Sequence, residues 1–479
     1  MVGIKKFGAY LPQRRLIRSS IASANAWFEP SLSSLSRGER TMSSWDEDSI
    51  TMAVEAARDM GNLESITQII LASTTHPFSI RQNSVIAAEA LNLKTSVRSA
   101  DVGGSLRSST SAILSGLDSS RANSEDTLIL TSDKRVALAG SPTEMLSGDG
   151  AAGFVVGKNN VIASYLGSSS LSADFVDQFR ASNERYDYLW EDRWVREEGW
   201  LKLIPPTISK ALEKSDVDPS KVDHLIIPSQ FPRVAEKIAK ICGIEEKALC
   251  ETLMNEVGQC GTAHPAILLS LVLSSAKPNQ IIVAIGFGQG CDVLVFKTTN
   301  EINNYKPLTG VEGWLANRVE ETNYDKFLTF NNLIQRDLGK RAELDRPPAL
   351  TAQFRNREGV TGFRGGRCKK CETIQYPKSI YCVNPECRAK DSQGDYPFSE
   401  LKGYVKTFTA DHLVFSIDPP SYFGLVEFIG GGRMMVEFAD VNNSDFDVGK
   451  AVKMRFRIKH LDDRRNTRQY FWKACPVKE

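Results

Sequence analysis

Over roughly the first three hundred residues, short apolar runs alternate with amphipathic ones. Runs rich in Ile, Val and Leu at 66–74, 127–133, 150–157, 224–229 and 281–288 have the length and β-branched content of buried strands. Between them, residues 48–60, 83–92, 108–118 and 231–243 repeat apolar positions at helical spacing. Strands that alternate with helices predict a mixed α/β sheet system. The pattern then changes. Residues 301–350 are polar, with a helical stretch at 325–345, and end near Pro347 and Pro348, which reads as a connector. Further on, strand-like runs at 403–415, 422–441, 450–461 and 468–477 are joined by glycine-rich turns with few helices, the pattern of a small OB-type barrel.

Between connector and barrel lie Cys368, Cys371, Cys382 and Cys387. Two short-spaced pairs, each able to sit on a tight turn, bring four thiolates onto one tetrahedral zinc ion. Gly365 and Gly366 before the first pair and Pro385 inside the second supply the turn chemistry. Four protein ligands leave no open coordination position, so this zinc is structural rather than catalytic. The other five of the nine cysteines are scattered, and none precedes Cys242.

Composition narrows the class further. A 479-residue chain that is 41% hydrophobic fills several cores, two to four domains in all. Its net charge of +1 provides no basic field for nonspecific nucleic-acid binding. The opening residues lack the apolar run of a secretory signal, and no stretch approaches a membrane span, so a reducing cytoplasm is the expected compartment.

Three motifs carry a family resemblance: the opening strand and turn MVGIKKFGAYLPQRRL, the glycine-rich SGDGAAGFVVG at Ser147–Gly157, and GFGQGCDVLVF from Gly286. Together they resemble the thiolase-like superfamily, closest to its 3-hydroxy-3-methylglutaryl-CoA synthase and ketoacyl-synthase III branch. Residues from about 320 onward resemble the zinc-ribbon and OB-fold proteins that partner acyl-CoA thiolases and aldolases. The resemblance implies a thiolase fold, five αβαβα layers in two similar halves, over 1–160 and 161–300. It implies a connector at 301–350, a zinc ribbon at 351–395 and an OB-fold at 396–479. It also implies a homodimer, coenzyme A thioester substrates and carbon–carbon bond chemistry beside the thioester carbonyl.

The chain departs from that family at its chemistry. The family's nucleophilic cysteine sits at a strand-to-helix turn, where the helix dipole favours a thiolate. The matching segment is 99–118, and the cysteine position falls on Leu106. Ser105 is beside it, but a serine needs an adjacent base to become a nucleophile. The synthases' acidic Glu falls on Thr75, with His76 next to it; their "FHxP" histidine falls near Ser229, and their "GN" asparagine on Gln259. A covalent acyl-enzyme is therefore not expected.

Candidate site residues follow from these positions. His264, before Pro265 at a helix start, and His76, in a turn before Pro77, are candidate bases, each weighed against a capping or packing role. His224, His412 and His460 read as structural or exposed. Residues 174–200 concentrate Tyr186, Tyr188, Trp190, Trp194 and Trp200 among charges, which suits an acyl pocket or a subunit interface, with Tyr188 a candidate acid. Gly286 and Gly288 allow close backbone approach to a thioester and offer an oxyanion N–H, or simply a tight turn. Arg107, Ser108 and Gln259 are candidate substrate contacts, a helix cap being the alternative for the first two.

Three functions remain. The first is aldol or retro-aldol chemistry on an acyl-CoA, which needs a base and an oxyanion hole but no acyl-enzyme. The second is a noncatalytic acyl-CoA-binding or scaffold subunit. The third is a nucleic-acid-binding module built on the ribbon, the barrel and the basic stretch 453–465. Acidic residues interrupt that stretch, and the phosphates of CoA attract the same Arg and Lys, so nucleic acid is the weakest reading.

Overall fold

The computed structural model describes every residue except 64, 338–346, 443–445, 463 and 478–479. The described chain divides into two compact units, one of residues 1–44, 48–85 and 93–331, the other of 45–47, 86–92 and 332–479.

The first unit is built on one nine-stranded sheet system. Its strands are β1 (Gly3–Tyr10), β2 (Ile66–Ala72), β3 (Arg98–Val102), β4 (Asp126–Lys134), β5 (Asp149–Gly157), β6 (Ala163–Ser172), β7 (His224–Ile226), β8 (Ile281–Phe287) and β9 (Gly290–Thr298), in the order β7-β8-β9-β6-β1-β5-β4-β2-β3. The order contains a repeat. Outward from the β1–β6 junction, the first half runs β1, β5, β4, β2, β3 and the second runs β6, β9, β8, β7, with a parallel Leu225–Leu249 bridge where a fifth strand would stand. In both halves the outer members are parallel and the inner ones antiparallel. The two sheets meet edge to edge in the β1–β6 ladder, Gly3–Ser164 and Ile4–Ala163. Gly3 is required there, because a Cβ would stand 2.1 Å from the Ala163 carbonyl oxygen.

Helices complete the layers: α1 (Ser49–Arg58), α2 (Ser108–Asn123), α3 (Leu201–Lys214), α4 (Val234–Cys242) and α5 (His264–Ser275). Asp48 starts α1 as a capping box, its carboxylate accepting from the Ile50 and Thr51 amides at 3.0 Å while the Thr51 hydroxyl accepts from the Asp48 amide at 2.8 Å. α1 covers the outer face of the first half, and α3 with α4 covers that of the second. α2 and α5 lie between the two sheets and touch both, giving the five αβαβα layers. α5 reads HPAILLSLVLSS and is apolar nearly all round, as a helix enclosed between sheets must be. The small residues of α2 permit close contact: a Cβ on Gly116 would stand 2.7 Å from Ile129 Cδ1.

The expected connector at 301–350 is corrected for its first part, since residues up to 331 belong to the first unit. The reason is apolar anchoring: the Trp314 indole N–H donates to the Ala9 carbonyl at 2.7 Å, and its ring meets Tyr10 edge-on at 4.8 Å. Residues 338–346, within the predicted helical stretch, lie outside the described residues.

In the second unit, β10 (Arg364–Cys368), β11 (Ile374–Gln375) and β12 (Gln393–Pro397) form a small sheet around the cysteines, in the order β11-β10-β12. Then β13 (Lys402–Asp411), β14 (Ser421–Phe428), β15 (Arg433–Glu437), β16 (Ala451–Asp462) and β17 (Thr467–Pro476) form a sheet in the order β15-β14-β13-β16-β17. A Phe438–Ala474 bridge and a 2.9 Å bond from the Ala439 amide to the Ala474 carbonyl draw its two edges together into a nearly closed barrel. Val405, Val426, Val436, Phe456 and Trp472 fill it.

Gly286 sits on β8 directly beneath α2, where a Cβ would come within 2.2 Å of Thr110 Oγ1. Gly286→Ala should therefore destabilise the first unit by about 1–3 kcal/mol. Combining it with Thr110→Ala should cost less than the two single changes added together, as thermal unfolding of all three variants would show; strict additivity would mean the close approach is not the constraint.

Candidate active site and metal centre

A small cavity of about 60 Å³ opens in the first unit, with Leu106, Arg135, Asp177, Gln259, Pro265 and Phe287 among its walls. Local sequence explains how it forms. β3 ends at Val102, the chain turns through Gly103 and Gly104 (φ +86°), and α2 begins at Ser108, leaving Leu106 at the strand-to-helix turn. The turn is pinned to the β8–β9 hairpin: Ser105 Oγ donates to the Gly288 carbonyl at 2.9 Å, and Ser108 Oγ donates to the Ser105 carbonyl at 2.6 Å. A Cβ on Gly288 would meet Ser105 Oγ at 2.6 Å, so close approach is what this glycine allows.

The charged framework below is ordered by Asp133, a fully buried residue at the end of β4. Its carboxylate accepts from Ser73 Oγ at 2.9 Å, the Thr74 amide at 2.7 Å, Thr74 Oγ1 at 2.8 Å and Thr75 Oγ1 at 2.9 Å in the first half. From the second half it accepts from the Thr262 amide at 2.7 Å. Two residues on, Arg135 faces the cavity; its guanidinium donates to Asp187 Oδ2 at 2.5 Å, Gln259 Oε1 at 3.2 Å and Gln178 Oε1 at 3.3 Å. Asp187 also accepts from Arg180 at 2.6 Å, so a pair of arginines ties down the hairpin made by Gln178–Phe179 and Tyr188–Leu189.

The structure brings some of the sequence candidates to the cavity and leaves others outside it. Gln259 lines the wall, held by Arg135 and by the Gly261 amide at 2.8 Å. His264 does not: it is wholly buried on α5, its ring nitrogens lack a well-formed hydrogen bond, and burial lowers its pKa to about 4, the Thr252 backbone opposing only in part. A sealed neutral imidazole has no path to a substrate proton. His76 lies outside the wall, with Nε2 3.3 Å from the Val102 carbonyl oxygen. The Tyr188 ring is 56% exposed and packs on Phe179 and Trp190, so Leu189 and Trp190 line the cavity in its place. Ser105 already donates its hydroxyl to Gly288, and no base adjoins it. Arg107 is bound to the Leu171 carbonyl at 2.8 Å and Ser172 Oγ at 3.1 Å, 3.5 Å from Asp292, and buried Ser108 serves the turn. The Gly288 amide donates to Gly290 at 2.9 Å, and Gly286 lies under Thr110, so both glycines act here through packing rather than as oxyanion donors.

The aromatic–charged stretch 174–200 does contribute the cavity's other side: Asp177, Gln178, Leu189, Trp190, Val195 and Trp200. Val195–Trp200 forms a π-helical turn before α3, a distortion that recurs at functional sites. Asp177 and Arg135, in the lining, and Gln289, bound to Asp177, are among the polar residues that the sequence reading did not single out. Asp177 is 8% exposed, accepts from Gln289 Nε2 at 2.9 Å, and has its carboxyl pushed up from the usual range by burial, against the backbone hydrogen bonds of Gln178 and Asp177 and, more weakly, the charge of Arg135.

No thiol lines the cavity among the described residues. Burial pushes Cys242, Cys250 and Cys291 up to about 11, and Cys260 further still, so all four are thiols at neutral pH.

The four ribbon cysteines form a different arrangement. Their sulfurs all lie within 4.8 Å of one another, with Cys368–Cys387 at 3.8 Å and Cys371–Cys382 at 3.5 Å. A tetrahedral zinc with Zn–S bonds of about 2.3 Å needs S···S separations of about 3.8 Å, so the set fits the ion. The Lys370 amide donates to Cys368 Sγ at 3.4 Å, the kind of N–H···S contact that supports a thiolate ligand.

Comparison with known proteins agrees with this geometry. Residues 362–392 match the family model of the ChsH2 rubredoxin-like zinc ribbon domain. The hydroxymethylglutaryl-CoA synthase of Methanocaldococcus jannaschii is 26% identical over 349 residues, covering 70% of this chain and all of that protein. Among solved structures, an HMG-CoA synthase complexed with CoA superposes with a TM-score of 0.60 at 15% identity, covering 72% of this chain and 95% of that one. The 3-oxoacyl-(acyl carrier protein) synthase III of Pseudomonas aeruginosa gives 0.55 at 19%, covering 62% and 98%. The first unit has the thiolase fold, its relatives are hydroxymethylglutaryl-CoA synthases, and the second unit joins a zinc ribbon to a small β-barrel.

Metal analysis should return one zinc per chain, and Cys382→Ser should lower it to a small fraction while melting the ribbon. A full zinc equivalent in that variant would remove Cys382 from the ligand set.

Proposed function

We propose that this chain makes or breaks a carbon–carbon bond at the α-carbon of a coenzyme A thioester, by aldol or retro-aldol chemistry and without an acyl-enzyme. The observation that carries the reading is Leu106: it stands in the cavity wall at the strand-to-helix turn, the position where the resemblance puts the nucleophilic cysteine. The remaining cysteines of this unit support it, since burial keeps each protonated and none lines the wall.

Aldol chemistry asks less of a site than acyl transfer does. It needs a proton acceptor for a hydroxyl or α-carbon, polar groups to face the enolate oxygen, and walls that keep water out. Arg135 and Gln259 supply a polar wall; Leu106, Trp200 and Phe287 supply the apolar one. Relatives that are hydroxymethylglutaryl-CoA synthases, and a neighbour in fold complexed with CoA, support a CoA thioester as the substrate class. The zinc, with four thiolate ligands, steadies the ribbon and takes no part in the chemistry. We place the protein as a homodimer in a reducing cytoplasm, in keeping with a thiolate metal site. Among the described residues no helix is long and apolar enough to cross a membrane.

Incubation with a panel of β-hydroxyacyl-CoA and β-ketoacyl-CoA thioesters, with and without free CoA, tests the reading by mass spectrometry of products. An aldehyde or ketone plus a shortened acyl-CoA is expected without added CoA, and iodoacetamide treatment of the enzyme should leave the rate within about twofold, because the buried thiols are not the nucleophile. Cleavage that requires CoA would replace this reading with thiolysis. Tight thioester binding with no turnover across the panel would favour the noncatalytic subunit.

A further inference from the structure

We infer that Asp177 is the proton-transfer group of this site, an inference that rests on the aldol reading above. The residues marked by family position do not supply a base: His264 is sealed within α5, His76 lies outside the cavity wall, the Tyr188 ring is exposed to solvent, and Ser105 is spent on Gly288.

The carboxylates can be sorted by what already occupies them. Asp133 accepts five hydrogen bonds from side chains and backbone of both halves. Asp187 is shared between Arg135 and Arg180. Asp292 accepts from Thr110 Oγ1 at 3.0 Å and Ser111 Oγ at 2.8 Å, with Arg107 3.5 Å away. Asp192, in the first turn of a short helix, is exposed. Asp177 differs from all four. It lines the cavity and is nearly buried, its carboxylate bound to no arginine or lysine among the described residues; Oδ1 accepts from Gln289 Nε2 at 2.9 Å, and the backbone at Asp177 and Gln178 also donates to the carboxylate.

The glycine-rich closing motif then has a chemical use. Gln289 sits at the β8–β9 turn with φ +49°, between Gly288 and Gly290, and its backbone carbonyl accepts from the Ala173 amide at 3.2 Å. That turn delivers its carboxamide to Asp177 and holds the carboxylate at the cavity wall. Arg135 and Gln259, also in the lining, give the thioester oxygen a polar wall to face.

In the cleavage direction, the Asp177 carboxylate takes the β-hydroxyl proton of a β-hydroxyacyl-CoA. The β-carbonyl forms as the Cα–Cβ bond breaks, and that bond's electron pair passes into the thioester enolate. The protonated Asp177 then returns the proton to Cα, releasing an aldehyde or ketone and the shortened acyl-CoA. Atoms and charge balance with no further reactant, and addition is the same sequence reversed.

Asp177→Asn, nearly identical in shape, tests this with two readouts on a β-hydroxyacyl-CoA: turnover, and deuterium uptake at Cα of the product acyl-CoA in D₂O. Turnover should fall about 10²–10⁴-fold and exchange by a similar factor, while thioester affinity stays within a few-fold. Asp177→Glu keeps the charge and moves the carboxylate by one methylene; it should stay folded and lose at least about tenfold in turnover, since positioning within about 1 Å matters. Turnover near that of the wild type in either variant overturns the assignment and leaves the aldol reading standing. Absence of both turnover and exchange in the wild-type protein overturns both.

Discussion

The first unit depends on the burial of one carboxylate. Asp133 sits where the two halves meet, with donors from the end of β2 on one side and from the start of α5 on the other. Without that carboxylate, each of those buried donors would lose its partner, at about 1–3 kcal/mol for each one left unsatisfied. Its grip also explains Gly261, which has φ +57° and where a Cβ would stand 2.1 Å from Asp133 Oδ2. Through Gly261 the loop holding Gln259 is set in place, and through the chain two residues on Arg135 is aimed at the same carboxamide. The cavity is therefore a consequence of the contact that joins the halves.

Part of this could be read from the residues alone. The zinc ligands were legible because spacing on tight turns is local information, and all four sulfurs do converge. Leu106 does stand at a strand-to-helix turn, between β3 and α2, where the resemblance placed it. The alternating apolar runs marked a mixed α/β sheet system, and the five layers were what the family resemblance implied. Asp177, the proposed proton-transfer group, was not legible. His264 looked chemical because it opens a helix near the site, but helical phase turns it into the core, and one position along a helix is a rotation of about 100°. Asp177 carries no local signature; its burial depends on a hairpin pinned by Arg135 and Arg180, and its orientation on a glutamine more than a hundred residues away. The stretch 174–200 did stand out by its aromatic and charged composition, although composition could not separate a pocket from an interface. Residues 301–331 were misread as spacer because their polar average hides Trp314, which anchors them.

On the proposed reading, a thiolase fold with Leu106 at the strand-to-helix turn keeps its two-half cavity and works without an acyl-enzyme. What remains is a small, mostly apolar chamber with one polar wall and one buried acid. The zinc ribbon and barrel follow in the same chain, each with its own core and with no open metal position to add to the chemistry.

The most direct test of this account is intact-protein mass spectrometry during turnover of a β-hydroxyacyl-CoA, quenched in acid at intervals. The account predicts product acyl-CoA accumulating while the protein keeps its unmodified mass throughout. A mass increase equal to the acyl group, mapped to a residue of the cavity, would contradict it.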